Sequence, residues 1–248
     1  MNPLITTDQN NINSPIIVGL DFNNEKQVMD LVNKLHPSLC KLKVGKELFT
    51  TCGPKLVEKL VVSGYDVFLD LKFHDIPNTV YKACKAAANL GVWMVNVHAS
   101  GGSNMLQIAR QAIDESNHKP RLIAVTVLTS MSETDLAQIG INSDINAQVL
   151  RLAKLSYDCG LDGVVCSAQE AKLIKDATSS QFLTVTPGIR LASDKSHDQV
   201  RIMTPVAALE NLADYLVIGR SITNATDPHA TLLQILADIK TATPSQLS

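Results

Sequence analysis

No Cys-x-x-Cys spacing occurs in this chain. Its five cysteines, Cys40, Cys52, Cys84, Cys159 and Cys166, are odd in number and scattered. That pattern argues against both a zinc site and a disulfide framework, and reads as buried thiols of a reducing compartment. Long apolar runs are also missing, none approaching the ~20 residues of a membrane span. The first fourteen residues are polar and Asn-rich, with neither the basic nor the apolar segment of a signal peptide. The cytoplasm is therefore the expected compartment. There is no dense Lys/Arg cluster, and the formal net charge is only -2, so neither a nucleic-acid nor a membrane partner is expected. No Gly-x-Gly-x-x-Gly follows the first apolar run, which disfavours dinucleotide binding. His74 has no second His or Cys at metal spacing, and no metal site is expected.

What is present is a globular composition, 45% hydrophobic and 19% charged over 248 residues, enough for one large domain or two small ones. Short apolar runs read as strands at 16–20, 39–44, 66–72, 92–97, 122–127, 163–166, 182–185 and 215–218. Stretches of helical periodicity separate them, at 28–35, 48–62, 79–90, 104–115, 147–159, 168–176, 206–212 and 228–239. Gly91 suits a helix C-cap. A polar stretch, 129–144, carries a short helix at 133–138, and 191–201 reads as a polar loop. No linker or composition break divides the series. Eight such units match a single α/β domain, a closed (β/α)8 TIM barrel, better than an open doubly wound sheet. The barrel is expected to span 15–240, between flexible tails at 1–14 and 241–248.

The chain is organised around Asp70-Leu71-Lys72-Phe73-His74-Asp75-Ile76-Pro77-Asn78-Thr79. In an extended strand alternate side chains share a face, so Asp70 and Lys72 point the same way. Pro77 ends the strand and suits a helix start. An inert ion pair would explain one Asp and one Lys. Asp-x-Lys-x-x-Asp after an apolar strand is better explained by a task, because charges seldom enter an interior without one. Active sites of such barrels lie at the C-terminal strand ends. The residues there are Asp21, Lys43, Asp70, Lys72, Asp75, His98, Thr129, Ser167, Pro187 and Arg220. His98 is as well explained as a packed, hydrogen-bonded histidine. Barrels often hold phosphate after strands seven and eight. Here Gly219 would let an anion approach the backbone, Arg220 would add a bidentate donor, and the seventh strand supplies Thr186-Pro187-Gly188-Ile189-Arg190, whose following loop, through Gln199, could fold over the same anion.

The ten-residue stretch resembles the signature of the orotidine 5'-phosphate decarboxylase family. The likeness extends to Asp21, Lys43-Val44-Gly45, Val127-Leu128-Thr129-Ser130, Thr186 to Arg190, Asp198-Gln199-x-Arg201 and Ile218-Gly219-Arg220. It implies a carbon–carbon lyase that converts orotidine 5'-phosphate to uridine 5'-phosphate and CO2, the last step of de novo UMP synthesis, without cofactor or metal. By that similarity Lys72 protonates C6, Asp70 faces the scissile carboxylate, and Lys43, Asp70, Lys72 and Asp75 form an alternating network. Asp75, Ile76 and Thr79 would come from the other subunit of a homodimer. Asp21, Lys43 and Thr79 would hold the ribose, Thr129 the base, and Gln199, Gly219 and Arg220 the phosphate. Pro187 and Arg190 would also line the substrate site.

The residues suit that chemistry. Loss of CO2 leaves an electron pair on a vinylic carbon with no adjacent sink, so charge placed beforehand must stand in for a cofactor. Burial disfavours an ammonium and flanking carboxylates restore it. One rival is a Mg2+-dependent keto-sugar-phosphate decarboxylase or aldolase on the same barrel; members of that group carry a carboxylate metal ligand where Lys43 stands. A second is a non-catalytic nucleotide-binding barrel, against which the intact charged set speaks.

Overall fold

Eight parallel strands close on themselves in sequence order, each hydrogen-bonded to its neighbours in the chain and β1 to β8. The structure, a computed structural model, describes residues 14–191 and 203–242. The strands are β1 (Ile16–Leu20), β2 (Lys41–Gly45), β3 (Val67–Phe73), β4 (Met94–His98), β5 (Arg121–Val125), β6 (Gly163–Val165), β7 (Leu183–Thr186) and β8 (Tyr215–Ile218). Around them run α1 (Glu25–Val32), α2 (Lys46–Cys52), α3 (Pro54–Val62), α4 (Pro77–Asn89), α5 (Gly102–Asp114), α6 (Glu133–Gln138), α7 (Ile145–Asp158), α8 (Ala171–Ala177), α9 (Pro205–Glu210), α10 (Arg220–Thr223) and α11 (Pro228–Ala242). This is the (β/α)8 barrel expected from the alternation of apolar runs and helical periods.

The strands read as continuous apolar runs because both of their faces are covered. One face, with Val18, Leu42, Leu69, Val95 and Ala124, packs against the helices; the other fills the lumen with Ile17, Phe68, Met94, Ile123, Val185 and Tyr215. At the N-terminal mouth Lys41 Nζ lies 5.1 Å from the centre of the Trp93 ring and 5.5 Å from that of Tyr215. It also stands 3.8 Å from Asp66. Burial pulls the Lys41 ammonium below its ordinary range, and Asp66 opposes that pull. Lys41 and Lys43 do share the lumen face of β2, yet Lys41 closes the floor of the barrel while Lys43 serves the other end.

Three local features depart from the periodicity. The helical stretch at 48–62 is two helices, because Gly53 adopts φ +70° and Pro54 begins the second; a residue in the left-handed region ends α2, and Pro is tolerated at the first position of α3. The helix at 168–176 begins as a 3-10 turn, Ala168–Glu170, closed by a capping box between Ser167 and Glu170. Ser167 is thus a cap. Helix α11 continues to Ala242, past the expected boundary. Gly91, at φ +76°, follows α4 as anticipated, with its N–H donating to the Ala88 carbonyl. The rest of the expected tails, 1–13 and 243–248, and the loop at 192–202 lie outside the described residues.

Candidate active site

A cavity of about 310 Å3 opens at the C-terminal end of the barrel, within the range of small-molecule sites. Phe68, Val125, Val165 and Val217 form its apolar floor. Asp21, Lys43, Asp70, Lys72, Thr129, Pro187, Arg190, Gly219 and Arg220 line its walls. Nine residues singled out from sequence therefore converge on one space. Lys43, Lys72, Arg190 and Arg220 oppose Asp21 and Asp70 there, four cationic groups against two carboxylates. The surplus suits a ligand with more than one negative charge.

The charges form a chain. Asp21 Oδ1 is 3.9 Å from Lys43 Nζ, which is 3.3 Å from Asp70 Oδ2. Asp70 Oδ1 in turn accepts from Lys72 Nζ at 2.6 Å. Burial pushes the Asp70 carboxyl up, but Lys43, Lys72 and hydrogen bonds from Lys72 and Asn96 outweigh it, and its pKa is held below the usual carboxylate value. Asp70 is therefore an anion at neutral pH.

Strand alternation alone does not bring Asp70 and Lys72 together. The β3–β4 register breaks between Leu69↔Val95 and Phe73↔Val97, so four steps on β3 oppose two on β4. Lys72 sits in this irregularity at φ +52°, one of two non-glycine residues with positive φ among those described. That conformation costs on the order of 1–3 kcal/mol and persists only where surrounding contacts impose it.

Gly219 opens the short helix α10 at the opposite wall, and a Cβ there would come 3.2 Å from Asp21 Oδ2. A bare backbone at Gly219 thus lets the Asp21 carboxylate pack close against that wall. Gly188, at φ +82°, turns the chain after Pro187. Arg190 is tied to the far side of the following loop, its N–H donating to the Met203 carbonyl at 3.1 Å.

Comparison with known proteins agrees with this geometry. The model of the orotidine 5'-phosphate decarboxylase / HUMPS family matches residues 14–235. An orotidine 5'-phosphate decarboxylase of Chromobacterium violaceum is 57% identical over 239 residues, 96% of this chain and 97% of that protein. One from Neisseria meningitidis is 53% identical over 237 residues, 95% and 96% of the two chains. A crystal structure of orotidine 5'-phosphate decarboxylase from Lactobacillus acidophilus superposes with a TM-score of 0.81 at 41% identity, covering 92% of this chain and 99% of that one. The chain belongs to the orotidine 5'-phosphate decarboxylase / HUMPS family.

Three of the residues that the family resemblance assigned to the site are not among those that line the cavity. Asp75, Ile76 and Thr79 are exposed, Ile76 to 67%. The Asp75 carboxylate accepts from the N–H of Ile76 at 2.7 Å. Within one chain the charged network runs Asp21–Lys43–Asp70–Lys72, and Asp75 is outside it. Gln199 lies outside the described residues, as do Asp198 and Arg201. His74 and His98 stand beside the site, their ring centres 5.5 Å apart. Burial first, then the charges of His74, Lys46 and Lys72, lower His98 to about 4, so it is neutral at physiological pH. Sequence reasoning overlooked Asn96, whose polar side chain in the apolar run Val95-Asn96-Val97 was the available signal; it is fully buried and bonded to both Asp70 and Lys72. The apolar floor of Phe68, Val125, Val165 and Val217 was also overlooked, because apolar character alone does not separate a cavity lining from core.

Proposed function

We propose that this chain decarboxylates orotidine 5'-phosphate to uridine 5'-phosphate and CO2, the closing step of UMP synthesis, with no cofactor. The observation that carries this reading is the placement of Lys72 and Asp70 on the wall of an apolar-floored cavity that Arg190 and Arg220 also line. Arg220 and Gly219 grip the phosphate, Thr129 meets the pyrimidine, and Asp21 and Lys43 bind the ribose. The substrate carboxylate lies against Asp70 and the Lys72 ammonium. As the C6–carboxylate bond breaks, its electron pair stays on C6. The Lys72 ammonium stabilises that charge and delivers its proton to C6. The apolar floor excludes water, so the field of the fixed charges is not screened. Phosphate contacts remote from C6 supply the binding energy that holds this arrangement.

Lys43 argues for this chemistry over a Mg2+-dependent one. Its ammonium, 3.3 Å from Asp70 Oδ2, already takes the position in which a divalent cation would neutralise that carboxylate, and it would repel the metal. The decisive assay follows loss of orotidine 5'-phosphate absorbance with and without EDTA. Turnover insensitive to EDTA is expected; no turnover, or turnover abolished by the chelator, would overturn the reading.

The site is completed, in this reading, by a second copy of the chain. Asp75, Ile76 and Thr79 are exposed and absent from the cavity lining, so all three are open to contact by a second chain. Crossing a two-fold axis, Asp75 would extend the alternating charges of the neighbouring site next to Lys72, and Thr79 would reach its ribose. The cytoplasm, where nucleotides are made, fits a chain whose described helices include none long and apolar enough to cross a membrane.

A further inference from the structure

We infer that Asn96 is a positioning residue for the reaction: its amide holds Lys72 in its left-handed backbone conformation and aims the Asp70 carboxylate. The inference rests on the reading that Lys72 delivers the proton. Asn96 is fully buried on the lumen side of β4, above Met94. Its Nδ2 donates to Asp70 Oδ1 at 2.7 Å, and its Oδ1 accepts from the backbone N–H of Lys72, also at 2.7 Å.

The irregularity in β3 explains why such a residue is needed. Where the register to β4 breaks, the N–H of Lys72 loses its place in the ladder, and a buried N–H without an acceptor is strongly unfavourable. The Asn96 side chain supplies that acceptor from the very strand whose backbone no longer can. The same amide donates to Asp70 Oδ1, the oxygen that also takes the Lys72 ammonium. A donor and an acceptor are thus required about one amide width apart. A neutral amide meets both demands at once; an ionised carboxylate has no donor and an aliphatic side chain has neither. Both partners of Asn96 are reacting-site residues, one through its backbone and one through its carboxylate. A scaffold asparagine would instead tie ordinary loop or strand groups.

The test compares wild type, Lys72→Ala, Asn96→Ala and Asn96→Asp. With Lys72→Ala inactive, Asn96→Ala should lose kcat on the order of 10²-fold, the scale of a reacting group misplaced by about 1 Å. Its affinity for uridine 5'-phosphate should change only a few-fold, because the phosphate end is untouched. Wild-type kcat in folded Asn96→Ala would overturn the inference, whatever happens to its melting temperature. Asn96→Asp covers the case in which the alanine variant does not fold. When protonated, the new carboxyl matches the amide in shape and in donor–acceptor pattern. When ionised it opposes Asp70 and keeps only its role as acceptor for the Lys72 backbone N–H; the other titratable groups near it are the Lys72 and Lys43 ammoniums and the neutral His98 ring. The ratio of its kcat to that of wild type should fall as pH rises from 5 to 9, following loss of one proton shared by the carboxyl pair. A ratio independent of pH would overturn the inference. If Lys72→Ala itself turns over normally, the proton-delivery reading fails, and that result is separate from either outcome at Asn96.

Discussion

Lys72 Nζ and Asp70 Oδ1 stand 2.6 Å apart across an irregularity in β3, with the backbone of Lys72 at φ +52°. The ion pair is therefore imposed by the barrel and not by the pleat of its strand. Asp70 is anchored at three points, by Lys72, Lys43 and Asn96. Fixed dipoles and charges of this kind need no reorganisation when the substrate carboxylate leaves.

Replacing Lys72 with Ala removes the local positive charge and the proton donor together. Turnover should collapse while far-UV circular dichroism and melting remain close to wild type, since the side chain lies at the cavity wall and not in the apolar core. Near-normal turnover by Lys72→Ala would end the proposed mechanism.

Arg220→Ala should lower kcat/KM for orotidine 5'-phosphate by about 1.5–3 kcal/mol, the scale of a charge-assisted contact. Turnover of orotidine, which lacks the phosphate, should barely change. Equal losses on the two substrates would assign Arg220 to the fold or to the chemical step instead.

Mixing two inactive variants tests the shared site. Lys72→Ala and Asp75→Ala proteins, unfolded and refolded together, would form mixed dimers in half of all pairings. Each mixed dimer has one intact site if Asp75 crosses the two-fold axis, so activity should recover to roughly a quarter of wild type. No recovery, once mixed dimers are shown to exist, would return Asp75 to its own chain.

Acid stability should report on His98. Burial, then His74, Lys46 and Lys72, hold it at about 4 in the folded protein, against the opposing pull of Asp70; unfolded, it titrates near its ordinary value of about 6.5. Between those values the unfolded chain takes up a proton that the folded one refuses, so stability falls as pH drops from 6.5 towards 4. The melting temperature of His98→Gln should decline less steeply than that of wild type over this window. Parallel curves would show that His98 does not contribute to the acid limb.

Packing between β6 and β7 gives a prediction independent of the site. A Cβ on Gly163 would lie 2.3 Å from the Leu183 carbonyl oxygen and 2.6 Å from its Cβ. Gly163→Ala should therefore destabilise the fold by ~1–3 kcal/mol, as overpacking does, with kcat of the folded enzyme unchanged. An unshifted denaturation midpoint would refute the close approach.

The sequence by itself determined the order of strands and helices, and with it the barrel, because hydrophobic periodicity is written residue by residue and eight consecutive strand–helix units have few ways to close. It also determined which chemical groups stand at the strand ends; Asp21, Lys43, Asp70, Lys72, Thr129 and Arg220 were all legible from their positions after apolar runs. The break at Gly53–Pro54 was written there too, though the helical period around it masked the signal. Only the tertiary structure decided how those groups meet. Lys72 takes a left-handed conformation that no local preference of lysine favours, and it does so because β4 presents Asn96 at the break in register. Asp75 stays outside the cavity although it is only three residues from Lys72, because β3 ends at Phe73 and Asp75 lies in the exposed turn that leads to α4. Contacts of this kind depend on register between neighbouring strands, which a hydrophobic pattern specifies where one face is apolar and the other polar, but not where a strand is apolar on both faces, as these are.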